Sequence, residues 1–509
     1  MKRDVGGGLA GVAAGALALG LAEVVAGVVA PASAPLIALG DVAVNAVPPW
    51  LKDFAVRNFG THDKQVLLGT ALFIALLLSA LAGILLVRGR QWGTWLVLGL
   101  GALSALAAAT RPDASSLSVL PSVVGALAGM FVLNWLGPQV RQAVEAAPGS
   151  RAAQDGGRRA VLSLGGVLAA GVVTGGVGRI LGSRLRGAQT SRASITLPKP
   201  THPAPALPAG VSVGVKGVEP FITDNDDFYR IDTALSVPLL RAQDWSLRIH
   251  GLVDREVTIT YAELLHGALV ERDVTLMCVS NEVGGNLTSN ARWLGLPIGP
   301  LLAQAGPQPT ANMVLSKSSD GWTAGTPLPV LTDGRDALLA IGMNGVPLPV
   351  EHGFPVRMVV PGLYGYVSAT KWVVDLEVTR FDRAEGYWIP RGWSALGPVK
   401  TESRIDVPHD GGKVKAGPVA VAGIAWAQHR GIKAVEVRVG DGPWQLATLG
   451  AEDSIDTWRQ WVYRWNAVPG KYRLQVRATD DTGVVQTATE AEPPPNGATG
   501  WHTIDVKVT

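Results

Sequence analysis

The sequence predicts a multidomain chain in which about five apolar helices precede a soluble half built mostly of short strands. Three observations carry this. Residues 1–183 are dominated by Ala, Gly, Leu and Val in long runs. A stretch with five prolines between Pro198 and Pro208 follows. Beyond it the texture changes to Trp, Tyr and charged residues in short alternating runs separated by Gly/Pro turns. At 509 residues the chain exceeds one ordinary domain. We divide it into a helical domain at 1–183, a linker at 184–212, and soluble domains at 213–397 and 398–509.

A helix needs about 20 mainly apolar residues to cross roughly 30 Å of hydrocarbon. Windows near 5–30, 66–87, 92–110, 117–136 and 160–181 qualify. Loop charges set their orientation. Lys2, Arg3, Arg88, Arg90, Arg141, Arg151, Arg158 and Arg159 fall on one side, while Lys52, Arg57, Lys64 and Arg111 on the other are diluted by acids. The richer side should be cytoplasmic, which puts the soluble half outside a cytoplasmic membrane that the chain crosses several times. Arg184, Arg186 and Arg192 weigh the other way. Arg158-Arg159 before the last window resembles a twin-arginine export signal, and reads equally as a basic flank. No histidine falls in any window, and His62 lies in a loop, so a membrane haem held by two histidines is excluded. Glu23, in the first window, is a costly charge to bury in lipid.

Composition narrows the chemistry. With 44 basic against 41 acidic residues and only 17% charged, the chain is no polyanion coat, and nucleic acid is not an expected partner. One cysteine, Cys278, rules out an internal disulfide, a CxxC zinc site, a Cys-ligated iron–sulfur cluster and a CxxCH haem attachment.

In the soluble half, the sequence predicts strand–turn–strand over 235–254, a short helix over 261–269 opened by Thr260, and an apolar strand at 358–361. From about residue 398, six alternating runs separated by turns such as Gly440-Asp441-Gly442 read as an all-β, immunoglobulin-like sandwich. Trp426, Trp444 and Trp461 are its expected core fillers.

The stretch with most chemistry is Thr275-Leu-Met-Cys278-Val-Ser-Asn281-Glu-Val-Gly-Gly-Asn286. An apolar strand there runs into a polar, Gly-rich turn with the sole cysteine at the junction. A thiolate in that place suits a soft metal or a nucleophile, and an inert buried cysteine fits the stretch alone equally well. Further motifs follow: Met343-Asn344-Gly345, His352-Gly353-Phe354-Pro355-Val356-Arg357, Val360-Pro361-Gly362, Lys371-Trp372, Ser403-Arg404-Ile405-Asp406, Ala425-Trp426 and Gly500-Trp501-His502. In this order they resemble the sulfite oxidase family of molybdenum enzymes, over about residues 215–509.

The resemblance implies an α+β domain holding molybdenum on molybdopterin, followed by the immunoglobulin-like domain that mediates dimers in some relatives, so a homodimer is an expected assembly. Cys278 stands at the metal ligand's place, and a soft, electron-donating sulfur suits a high-valent metal. His352 and Arg357 match positions that hold the pterin and its phosphate, with Lys371 beside them; an anionic cofactor calls for such cations. Asn281 either fixes the cofactor pocket or caps the turn. Tyr229 and Arg230 stand where relatives contact the cofactor. Trp293 matches a tryptophan lining the substrate pocket, and Arg430 an arginine lent by the second domain.

Two departures bear on substrate. Val283 replaces an arginine expected five residues after the cysteine, with Glu282 beside it, and Ile341 replaces a tyrosine. A pocket with fewer cations holds a dianion less well. The implied reaction is oxygen-atom transfer, either oxidising a small oxyanion such as sulfite or reducing an S- or N-oxide. Electrons would pass to a separate carrier such as a cytochrome. A scaffold that kept the fold without the chemistry is the remaining alternative.

Overall fold

The computed structural model describes residues 2–48, 51, 54, 58–59, 63–111, 114–145, 151–185 and 187–509. Lys52, Arg57, His62 and Arg186 lie outside these, as do the side chains of Lys2, Arg151 and Arg184. The chain forms two compact units: Met1–Gly187 with Thr233–Leu239, and Ala188–Asp232 with Leu240–Thr509.

The first unit holds α1 (Lys2–Val29), α2 (Pro35–Ala46), α3 (Asp63–Val87), α4 (Trp92–Ala109), α5 (Leu120–Glu145) and α6 (Arg151–Leu185). All but α2 are long and apolar enough to span a membrane. The 12-residue α2, which the hydropathy windows missed, is too short; its Asp41 pairs with Arg111 just beyond α4. Small residues govern the packing. A Cβ on Gly11 would sit 1.9 Å from the Ser79 carbonyl oxygen of α3, and one on Gly20 2.2 Å from the Gly171 oxygen of α6. Helices can approach so closely only where both surfaces lack side chains, the usual solution in lipid. At its start α1 also satisfies the end of α3: the Arg3 guanidinium donates to the Val87 carbonyl at 2.6 Å.

The second unit opens with the expected linker, which is not a free tether. After α7 (Ala188–Ala193), Arg192 donates to the carbonyls of Pro347 and Leu348. Thr201 N–H donates to Leu269, and Glu271 N–H to His202. The prolines remove donors and keep the segment extended, while the amides of Thr201, His202 and Ala204 find partners at Leu269 and Glu271.

Two sheets build the first half of this unit. One runs β2 (Val257–Thr260), β1 (Ser246–Gly251), β10 (Val373–Thr379), β5 (Met313–Ser318), β6 (Thr323–Pro327). Only β1 and β10 pair in parallel here. The other runs β3 (Val270–Met277), β4 (Thr288–Pro297), β7 (Leu338–Met343), β8 (Val346–Pro347), with β9 (Arg357–Val359) also on β7. The expected first strand of 235–254 is absent: Thr233–Leu239 joins the helical unit, where Lys64 donates to the Ala234 carbonyl. The short helix after Thr260, α8 (Tyr261–Leu265), starts at a reciprocal capping box between Thr260 and Glu263.

The last hundred residues form two facing sheets. One orders β11 (Glu402–Val407), β13 (Gly417–Trp426), β17 (Arg459–Ala467), β16 (Thr448–Leu449). The other orders β12 (Lys413–Val414), β19 (His502–Val508), β18 (Gly470–Asp480), β14 (Ile432–Val439), β15 (Gln445–Leu446). They share one core with Val421, Ala425, Ile405, Val435, Leu474 and Val506. Because strand side chains alternate, Glu402, Arg404, Ile424 and Trp426 point the other way. They are nonetheless buried, covered by the sheets that carry Cys278. Trp461 is a core filler and Trp426 is buried on that second face. Trp444 is neither: it stacks edge-on against Trp501, with Arg438 and Arg477 over its ring.

Gly11→Leu should destabilise the helical unit by about 1–3 kcal/mol or more through overpacking. Gly99→Leu, where a Cβ meets nothing within 4 Å, should be nearly neutral. Thermal unfolding of the full chain in detergent compares the two.

Candidate active site around Cys278

Strand β3 ends at Met277, and its pairing with β4 stops where Met277 faces Thr288. The chain between them closes as a compact loop. Cys278 N–H donates to the Leu287 carbonyl and Asn281 N–H to the Cys278 carbonyl. The Asn281 side-chain oxygen accepts from Leu287 N–H at 2.7 Å. This leaves the buried Asn281 Nδ2 without a partner among the described residues. Gly284 and Gly285 are required here. Gly284 has φ +78° and a Cβ would strike the His502 ring at 2.3 Å; on Gly285 it would meet Asn281 Oδ1 at 2.7 Å. Arg404 of β11 pins the loop from outside by donating to the Gly285 carbonyl. Glu282 is exposed, and Val283 lies beside Gly500, 3.6 Å from where a Cβ there would sit.

Around the partly exposed Cys278 the fold gathers residues far apart in sequence. Tyr229 N–H donates to Ser289 Oγ of β4, and its ring stacks on Phe228. Phe228 in turn meets Trp293 and His352 edge-on. The loop 352–357 reaches Lys371 only because Gly353 sits at φ +113°; a Cβ would be 2.9 Å from that of Arg357 and 3.2 Å from that of Lys371. Trp372 follows at φ +51°, uncommon for a bulky residue, and is held by its indole N–H on the Val350 carbonyl.

The electrostatics are one-sided. Arg230, Arg357 and Lys371 act on His352, and the ion-pair partner within the group is Asp232, bonded to Lys371 at 3.1 Å and Arg230 at 3.2 Å. Buried Arg357 donates only to the carbonyls of His352 and Met358 and lies 5.0 Å over the Trp293 ring. Burial pulls its guanidinium down to about 10 and Lys371 down to about 8, the latter supported by Asp232. Burial, with Lys371 and Arg357 nearby, pushes His352 down to about 3, so its ring is neutral. His352 Nε2 faces the Asn225 carbonyl at 3.0 Å and is therefore the protonated nitrogen, which leaves buried Nδ1 as an acceptor without a partner among the described residues. Burial raises the Cys278 thiol, against hydrogen bonds from Ser280 and the charge of Lys371. Tyr229 is raised by burial and by its nearness to Cys278.

Three cations against one carboxylate, with two orphaned polar atoms on Asn281 and His352, fit a polyanionic, hydrogen-bonding cofactor. Two further expected residues are engaged by the fold itself. Trp293 is fully buried, its N–H on the Val274 carbonyl, and lies beneath Arg357. Arg430 is engaged by Asp480, Thr401 and the Val399 carbonyl. Arg292, next to Trp293 on β4, is held by both oxygens of Asp273.

Residues 234–388 match the family described as "Oxidoreductase molybdopterin binding domain". The "Uncharacterized oxidoreductase YuiH" of Bacillus subtilis is 31% identical over 153 residues, 30% of this chain and 74% of that protein. The chain belongs to the sulfite oxidase family of molybdopterin oxidoreductases. Mitochondrial sulfite oxidase of Homo sapiens is 30% identical over 322 residues, 54% of this chain. The chain spans only 58% of that relative's length. Among solved structures, the sulfane dehydrogenase SoxCD of Paracoccus pantotrophus superposes with a TM-score of 0.50 at 24% identity, over 58% of this chain and 82% of that one; this likeness speaks for the fold. Family membership makes molybdopterin the cofactor class.

Sequence reasoning missed three residues, one in the cluster and two beyond it. Asp232 carries the ion pairs to Lys371 and Arg230. Glu402, buried, has a side-chain oxygen without a partner among the described residues, and the buried Tyr364 hydroxyl meets the Lys400 backbone. An acid at the start of an alternating strand, where burial was expected, was the available signal for Glu402.

A neutral buried His352 takes up a proton only on unfolding. Its contribution to stability is complete above 6.5 and is lost as pH falls from 6.5 toward 3. His352→Gln should therefore lose less melting temperature than the parent on acidification through that window, read by thermal unfolding of cofactor-free protein.

Proposed function

We propose that the protein is a membrane-anchored molybdopterin oxidoreductase that moves an oxygen atom to or from a small substrate at a Cys278-ligated metal. The observation that carries this reading is the surplus of buried positive charge beside the one cysteine. In this proposal Arg357, Lys371 and Arg230 bind the anionic parts of the cofactor. His352 Nδ1 accepts, and Asn281 Nδ2 donates, hydrogen bonds from and to its ring system. When bound, the group supplies a centre for two-electron oxygen-atom exchange. The chain's part is to hold Cys278 as a thiolate, which Lys371 and Ser280 favour, to orient the cofactor, and to exclude water with the Phe228–Trp293 floor.

The helices would anchor the chain in the cytoplasmic membrane with the second unit outside, following the loop charges. The two-sheet half is read as an immunoglobulin-like domain of the kind that forms dimers in this family. Electrons would leave singly to a separate carrier such as a cytochrome. Sulfite is the first substrate to test. A second reading, reduction of a sulfoxide or N-oxide, is favoured by Val283 and by the internal engagement of Arg292 and Arg430, which leave the partly exposed Arg230 as the cluster's accessible cation.

Protein made in a cofactor-competent host should hold stoichiometric molybdenum and reduce an artificial acceptor with sulfite. Metal without sulfite turnover, together with sulfoxide-dependent oxidation of a reduced dye, supports the second reading. Metal-free protein would support a scaffold. Cys278→Ser should abolish turnover with the fold intact. Arg357→Met should weaken cofactor retention by about 2–5 kcal/mol, as for truncating one side of a buried charge pair, measured as pterin released during dialysis.

A further inference from the structure

Oxidation by oxygen-atom transfer turns substrate and water into oxidised substrate, two protons and two electrons. The electrons go to a one-electron carrier; the protons must pass from the partly exposed Cys278 site to bulk solvent, and the reverse reaction needs the same route inward. Two buried polar atoms without partners among the described residues, Glu402 Oε1 and Trp426 Nε1, lie in one region of the second unit with the buried Tyr364 hydroxyl, which meets the Lys400 backbone. Glu402 and Trp426 are direct partners across β11 and β13, so their side chains share a face, and that face is turned to the Cys278 sheets. Tyr364 is brought to the same place by its own backbone: its N–H donates to the Gly397 carbonyl, and Val399 N–H to Gly362. Tyr364 is within electrostatic reach of both Cys278 and Glu402. Buried donors and acceptors left open side by side are where proteins keep ordered water.

We propose that Tyr364 and Glu402, joined by ordered water held also by Trp426, form the proton path between the Cys278 site and solvent. This rests on the oxygen-transfer reading above. The outer end is Lys400, two residues before Glu402, whose ammonium bonds Asn496 Oδ1 at 3.0 Å and the Gly497 carbonyl. Gly497 closes over Tyr364, for a Cβ on it would sit 2.5 Å from the hydroxyl. The phenol passes a proton by accepting one and donating its own, and the carboxylate of Glu402 takes it up before release past Lys400. Lys400 is the charge acting on Glu402; Arg404, next on the same face, is paired with Asp406 and Glu219. Burial raises the Glu402 carboxyl to about 8, close to working pH, as a group that both gains and gives a proton requires.

The test uses the full chain with Glu402→Gln, near-isosteric, and Tyr364→Phe. Infrared difference spectra during a pH titration, which need no loaded cofactor, should show a protonated-carboxyl band lost as pH rises through about 8. The band should be absent in Glu402→Gln and kept in Tyr364→Phe. In the loaded enzyme each variant should lower kcat by about a hundredfold with KM within about twofold, and Glu402→Gln should also remove the limb of the pH profile near 8. A Glu402 band titrating in the ordinary carboxylate range, or full kcat and an unchanged pH profile in Glu402→Gln, overturns the proposal. Parent protein that holds molybdenum but turns over no substrate overturns the functional reading instead.

Discussion

A chain that buries Arg357 and Lys371 with one carboxylate for company holds a charge surplus that only an anion can neutralise. Much of the second unit is arranged to maintain that condition. Gly353 lets the His352–Arg357 loop close on Lys371, and Trp372 locks the backbone behind it. Trp293 lies flat beneath the guanidinium, so that a residue of β4 supports a charge carried by β9. Burial lowers the affinity of both cations for their protons, and an anionic group bound there would draw them back toward their ordinary values.

How much of this was legible in the sequence depended on whether a residue's role was local. Cys278, His352, Arg357 and Lys371 sit in short motifs with rigid neighbours, and the fold brings them together. The five long helices and the alternating strands after residue 398 were legible because hydropathy and period-two alternation are local signals. Trp293 and Arg430 were harder, since a motif names a residue without saying whether its side chain is free. In the fold Trp293 is covered and Arg430 is engaged by Asp480. Asp232, Tyr364 and Glu402 were missed because their significance arises from partners more than a hundred residues away or, for Tyr364 and Glu402, across a join between sheets. The Pro-rich segment misled for the opposite reason. Its composition is that of a tether, but Thr201 N–H donates to the Leu269 carbonyl and the His202 carbonyl accepts from Glu271 of β3, contacts that no local pattern links to it.

The helical unit shows the same dependence on small residues in a different setting. Where the soluble half uses glycine to let a loop touch a side chain, the helices use it to let backbone touch backbone. α1 does so against both α3 and α6, and its Arg3 closes the end of α3, which makes it the helix about which the unit is organised.

The clamp on the cysteine loop carries a consequence for biogenesis. Gly284 rests on the ring of His502, and Gly285 is gripped by Arg404, yet both clamping residues are translated long after the loop they hold. While β19 is still inside the ribosome the loop has no wall to rest on. The loop's own hydrogen bonds need no later residue, but its outer wall is complete only once β19 has emerged, and a chain truncated before His502 would lack the ring against which Gly284 sits.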